Sequence, residues 1–165
     1  MNEQVKQYLR RHSAILAGRV LEVGSFDVNG AVRDVVPVTI GIDMRPGPGV
    51  DRVLRAEFLP EHFEPETFDA VVCCETLEHV EHWREAVVAM WHVLKGDGWL
   101  VITVPTIAKP RHNYPNDYWR WDVDLVHAIW PQVDVSPTWS AGIGWAVQKC
   151  EPLPDLSEVH LWPVD

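Results

Sequence analysis

The chain has 165 residues, 47% hydrophobic and 23% charged, with 24 acidic against 14 basic side chains and a formal charge of −10. A chain near 150 residues buries roughly 70% of the surface its unfolded form exposes, so this composition describes one ordinary globular domain and excludes a disordered chain. Three cysteines, two of them adjacent at Cys73 and Cys74, exclude a secreted disulfide framework. The polar run after Met1 offers no signal-peptide core, and no apolar run approaches the roughly 18 residues of a membrane helix. The expectation is a cytoplasmic protein with no membrane partner.

Residues 3–16 place Val5, Tyr8, Leu9, Ile15 and Leu16 near one helical face, which predicts an amphipathic helix stopped at Gly18. The run 20–23 predicts a strand that turns at Gly24. A short helix is expected over 29–36, a second strand over 38–44 and a short third strand at 51–54. The near-continuous apolar run 68–74 has the pattern of a strand buried on both faces of a parallel sheet. Trp83, Val87, Met90, Trp91 and Leu94 recur at helical spacing, with Gly96 as the expected stop. Another buried strand is expected over 99–105, then an irregular segment over 106–121, a helix from Asp122 to Trp130 and two final strands. Alternating strands and helices predict a single α/β domain over 1–165, with an N-terminal helix within 1–18 and an acidic, Pro-containing tail over 151–165. Its sheet is mostly parallel and doubly wound, with a C-terminal antiparallel strand.

The charge is uneven. Residues 61–85 carry eight acidic side chains against one basic, whereas 105–121 carry Lys109, Arg111 and Arg120 against Asp117 alone. The acidic balance disfavours a nucleic-acid partner, whose affinity comes mainly from Lys and Arg, without excluding one. The basic island, interleaved with Tyr114, Tyr118, Trp119 and Trp121, suits a small acceptor with an anionic or sugar-bearing group. Its substrate-binding candidates are His112, Tyr114, Asp117, Tyr118 and Arg120. Against this stands the reading in which Asp117 pairs with an arginine while Trp119 and Trp121 fill the core. Cys73 and Cys74 are expected to be core residues.

In open α/β sheets ligands bind at the carboxyl ends of the strands. Asp43 lies 19 residues beyond Gly24, the spacing at which an acid can accept hydrogen bonds from ribose hydroxyls. The turn lacks the three closely spaced glycines that a dinucleotide needs, which disfavours a nicotinamide cofactor. Glu75, Glu78 and His79 fall at i, i+3 and i+4 and would share a face if the segment turns helical.

In order and spacing, VLEVGS with DVNG (20–30), IDM (42–44), GVDRV (49–53), LPEHF (59–63), FDAVVCCETLEHV (68–80), HVLKGDGWLVITVP (92–105) and HNYPNDYWRW (112–121) together resemble the class I S-adenosylmethionine-dependent methyltransferases. The resemblance implies a Rossmann-like fold, S-adenosyl-L-methionine as cofactor and methyl transfer to an O or N atom. It puts Glu22, Gly24 and Ser25 under the methionine part of the cofactor, with Asp27 and Gly30 completing the turn. Asp43 would hold the ribose and Met44 would pack on adenine. Arg55 stands where the family commonly has an adenine-binding Asp, so Ala56 and Glu57 are expected to take over. Glu75 adds a further cofactor contact, and His79 with Glu78 would serve catalysis, His79 as a general base.

Two other readings stay open. One is a metal site of Glu75, Glu78, His79 and His112, serving an RNA or catechol-type methyltransferase as some family members with an E-x-x-E-H segment do. The other is a non-catalytic cofactor-binding subunit. Assembly with a second copy or a partner protein is likewise open.

Overall fold

The computed structural model describes residues 2–112, 116–150 and 152–164. Strands β1 (Val20–Val23), β2 (Ile40–Asp43), β3 (Arg52–Val53), β4 (Phe68–Cys74), β5 (Leu94–Pro105), β7 (Ser136–Trp139) and β8 (Gly142–Gln148) form one sheet in the order β3-β2-β1-β4-β5-β8-β7. The first five run parallel, and β8 lies antiparallel between β5 and β7. A second, two-stranded sheet pairs β6 (Trp119–Arg120) with β9 (Trp162–Pro163). The helices are α1 (Glu3–Arg11), α2 (Leu59–His62), α3 (Trp83–Val93) and α4 (Val123–Ile129).

Period-two alternation divides the buried strand residues between two cores. Val20, Ala70, Val72 and Val101 pack with Val5, Tyr8, Leu9 and Leu16 of the N-terminal segment. Leu21, Val23, Val71, Cys73, Leu100 and Ile102 face α2, α3 and α4. Helices on both faces explain why β4 is apolar without interruption.

Three expectations are corrected. α1 ends at Arg11, well before Gly18, and turns carry the chain on to β1. The segment 29–36 holds only a 3-10 turn at Val32–Asp34. α3 runs straight into β5 with no glycine stop, because the ammonium of Lys149 donates to the carbonyls of Trp91 (2.8 Å) and Leu94 (2.6 Å). A side chain from another strand thus satisfies groups that a C-terminal glycine turn would otherwise serve.

The C-terminal segment is also more than a solvated acidic tail. Leu156, Val159 and Leu161 are buried, and the Arg84 guanidinium donates to the carbonyls of Leu156 (2.9 Å) and Val159. Trp83, Trp121, Trp145, Trp130 and Trp91 form a continuous aromatic series, with successive ring centroids 5.1 to 6.4 Å apart. Among the described residues no helix is long and apolar enough to cross a membrane.

Candidate active site

The chain runs outward from β1 through β2 to β3 and then crosses back to β4, so a crevice opens beyond the carboxyl ends of β1 and β4. A cavity of about 400 Å³ lies there, lined by Gly24 after β1, Asp43 and Met44 at β2, Ala56 and Glu57 after β3, and Glu75 and His79 after β4. A smaller cavity of about 140 Å³ holds Glu22, Ser25 and Gly30 in its wall. Gly24, Phe26, Val28 and Glu75 line both. Of the expected cofactor residues, Asp27 alone lines neither: its Oδ1 accepts the Gly30 N–H (2.7 Å) and its own N–H donates to the Pro48 carbonyl (2.9 Å). Asp27 therefore shapes the turn.

Gly24 has φ of 83°, and a Cβ there would stand 2.0 Å from the Thr76 hydroxyl oxygen, so the close approach of the β1 and β4 turns requires glycine. Glu75 also sits in the left-handed region, at φ of 48°, a conformation that costs a residue with a side chain roughly 1–3 kcal/mol and concentrates at functional sites.

Three buried oxygens around the cavities have no hydrogen-bond partner: Glu22 Oε2, Ser25 Oγ and Glu75 Oε1. Such groups cost free energy unless something polar meets them. Burial is the main force pushing the Glu22 carboxyl up to about 7, and it raises the Glu75 carboxyl as well. At the opposite end Asp43 Oδ1 accepts the Arg45 N–H (3.0 Å), and Met44 is exposed. The Arg55 guanidinium lies 2.7 Å from Glu57 Oε1, so the substituted arginine occupies one oxygen of the carboxylate expected to replace the missing acid. Phe26 stands beneath the Arg45 guanidinium, 5.1 Å from it. It lines both cavities, although no sequence motif marked it as a site residue.

Glu78 is fully inside the protein and lines neither cavity. Burial, reinforced by the neighbouring Glu75 carboxylate, pushes its carboxyl far above the usual range. His79 reaches the main cavity, but both ring nitrogens are engaged. Nδ1 lies 2.6 Å from the Asn116 carbonyl and Nε2 lies 3.2 Å from Nε2 of His112. Burial lowers the affinity of both imidazoles for a proton. The expected general base thus has no nitrogen free for an acceptor in this arrangement. Glu75, the fourth member of the expected metal set, stands apart from the group that Glu78, His79 and His112 form.

The late loop is organised by an inward-facing clasp. Arg120 is 3% exposed, and its guanidinium meets both oxygens of Asp117 at 2.6 Å and the carbonyls of Lys109, Pro110 and Trp119. Five N–H groups meet five acceptors, which leaves none for a substrate anion. Asp117 and Arg120, expected as substrate contacts, hold the loop in this arrangement. Burial raises the Asp117 carboxyl, but the Arg120 guanidinium and the His112 N–H outweigh it and hold the group at about 2. Tyr118 lines the main cavity together with Asn116, which sequence reasoning missed. His112 stands behind His79, and Tyr114 lies outside the described residues.

Residues 31–102 match the methyltransferase domain family. The chain has the class I S-adenosylmethionine-dependent methyltransferase fold. A methyltransferase of this type from Archaeoglobus fulgidus is 16% identical, with a TM-score of 0.67 over 89% of this chain and 94% of that one. One from Thermotoga maritima is 18% identical, with a TM-score of 0.63 over 88% and 89%. The 1,6-didemethyltoxoflavin N1-methyltransferase of Burkholderia thailandensis, solved with 1,6-didemethyltoxoflavin and S-adenosylhomocysteine bound, is 13% identical, with a TM-score of 0.66 over 88% and 76%. No curated protein sequence matches the chain.

Proposed function

We propose that this methyltransferase domain transfers the methyl group of S-adenosylmethionine to an O or N atom of a small acceptor. The observation that carries the reading is the convergence of Glu22, Ser25, Asp43 and Glu75 on cavities at the carboxyl ends of β1, β2 and β4, with three of their buried oxygens unpartnered. A ligand with a cationic amino-acid end and a ribose fits that set. Glu22, Ser25 and Glu75 would take the amino-acid part, and the Asp43 carboxylate the ribose hydroxyls. Met44 would cover the base, while the Ala56 backbone and Glu57 meet its edge.

The bound cofactor supplies an electrophilic methyl group. The protein has then to orient an acceptor and exclude water, which is the work of positioning. Tyr118, Asn116 and Glu75 are among the polar groups that line the main cavity, and they would hold the acceptor there. Arg120 is consumed by its clasp, and the basic residues that line the main cavity are Arg45 and Arg55 rather than those of the late loop. Lys109 lies over the Trp139 ring, with its ammonium 4.7 Å from the centroid, and Arg111 is exposed.

Calorimetry with S-adenosylmethionine and S-adenosylhomocysteine tests the reading. Both should bind, and absence of binding at millimolar ligand would overturn it. Transfer of a labelled methyl group to fractions of a cell extract, with and without nuclease treatment, then separates a small acceptor from a nucleic acid.

A further inference from the structure

Tyr118 reaches the main cavity from a backbone that is held on both sides. Its N–H donates to the Glu78 carbonyl (2.8 Å), and its carbonyl accepts the Val164 N–H (3.0 Å). The first partner belongs to the 3-10 turn Leu77–His79 after β4, and the second directly follows strand β9. With donor and acceptor both bonded, the point from which the side chain departs is set by two distant parts of the chain. Farther out, the Tyr118 hydroxyl oxygen accepts the Asn116 side-chain amide (2.9 Å), and both residues line the cavity.

The hold toward β9 is built with little material. β6 and β9 are two residues long and pair only with each other, and an isolated two-stranded pair is at best marginally stable in water. A side-chain bond reinforces it. Trp162 pairs in register with Arg120, and its indole N–H donates to Asp122 Oδ2 (2.7 Å). The other oxygen of Asp122 accepts the Leu125 N–H (2.8 Å) as the N-cap of α4, so one carboxylate joins β9 to the first turn of that helix. Trp162 is 54% exposed, and a tryptophan that leaves half its surface in water is not placed there to fill the core. On the opposite side the Trp119 indole N–H meets the carbonyls of Val80 (2.9 Å) and Glu81 (3.2 Å).

We propose that β9 sets the acceptor side of the cavity: Val164 fixes the Tyr118 carbonyl, while Trp162 and Asp122 hold the strand against the loop. None of these three residues lines the cavity, so they are positioning residues that act through Tyr118. This role rests on the reading above, in which an acceptor lies against Tyr118. A misplacement of roughly 1 Å at such a group can cost about 100-fold in rate. Glu22, Ser25 and Asp43 stand on or just after β1 and β2, so losing the hold of β9 should separate acceptor placement from cofactor binding.

The test uses the full chain with its three tyrosines replaced by 3-fluorotyrosine, the Tyr118 fluorine signal being identified with Tyr118→Phe. Val164→Pro removes the N–H that meets Tyr118, whereas Val164→Ala shortens the same side chain and keeps that N–H. Val164→Pro should shift and broaden the Tyr118 signal and leave that of Tyr8, buried in the other core, in place. Its affinity for S-adenosylhomocysteine should stay within about twofold of the unaltered chain. In extract fractions that accept the label, its methyl transfer should fall about tenfold or more. Val164→Ala should match the unaltered chain in each respect. Trp162→Ala, which alters an exposed side chain and breaks the bond to Asp122, should move the same signal and decides the matter if Val164→Pro does not fold. A Tyr118 signal that neither variant moves overturns the role of β9, whatever happens to the melting temperature, and so does an equal shift in Val164→Ala. A chain that binds no S-adenosylhomocysteine, yet whose Tyr118 signal still follows Val164→Pro, overturns the proposed function and leaves the hold of β9 on Tyr118 standing.

Discussion

Glu22 is a largely buried carboxyl group in the wall of the smaller cavity. Its acidity is weakened by burial, to a value of about 7, although the Val32 N–H and the charge of Arg33 pull the other way. A folded-state value above the unfolded one means that the associated stability is complete below about pH 4.5 and is lost as pH rises through about 7. A gap of that size corresponds to about 3 kcal/mol. Glu22→Gln should therefore flatten the dependence of melting temperature on pH between about 4.5 and 7.5, and an unchanged slope would show that another group titrates. Asp43 lines the cavity, and its Oδ1 accepts the Arg45 N–H. Asp43→Ala should weaken S-adenosylhomocysteine binding by about 1.5–3 kcal/mol, or roughly ten- to a hundredfold, as measured by calorimetry.

The element that decides the mouth of the site is the segment between β5 and α4. Its basic residues suggest a surface waiting for an anion, but the most basic of its inward groups is already neutralised. Asp117 and Arg120 are buried together in a two-pronged pair, and Arg120 also gathers the carbonyls of Lys109, Pro110 and Trp119. Removing one partner of such a pair leaves an uncompensated buried charge, which costs about 3–5 kcal/mol. Arg120→Ala should lose about this much in urea unfolding. If instead it kept full stability and lost only acceptor affinity, Arg120 would be a substrate contact.

On the scale of the whole molecule, Leu156, Val159 and Leu161 finish the core that α3, α4 and the tryptophans begin. Arg84 on α3 holds two carbonyls of their segment, and β9 pairs with β6 next to the loop clasp. The segment thus joins the back of α3 to the loop beside the cavity. Arg84→Ala should destabilise the chain by about 1.5–3 kcal/mol, the range for hydrogen bonds to a charged group. Guanidinium chloride unfolding measures this, and a loss under 0.5 kcal/mol, the level of an ordinary surface change, would count against the contact. The uneven charge acquires a place in the same frame: the acidic residues 75 and 78 follow β4 at the cavity end, and the neighbouring loop carries the positive charge.

Much of the fold was legible because local signals and tertiary demands agree. β1 and β4 begin and end where their apolar runs do, since both lie inside a sheet covered on two faces. Most of the cavity-lining positions were legible for a related reason: they lie at or just beyond the ends of strands, so sequence spacing carries their geometry. Spacing alone could not assign the cluster after β4. Glu75, Glu78 and His79 look like one face of a helix, but β4 ends in a strained left-handed residue and a 3-10 turn, which sends Glu75 to the cavities and Glu78 inward. The partners of Arg120, the lysine that ends α3 and the burial of the C-terminal segment join residues far apart along the chain. The sequence by itself determined the strand order of residues, the turn chemistry and the resemblance they carry, because these depend on neighbours along the chain. Which charges are free and which are spent was decided only in the tertiary structure, where desolvation and a partner's distance set the value of each one.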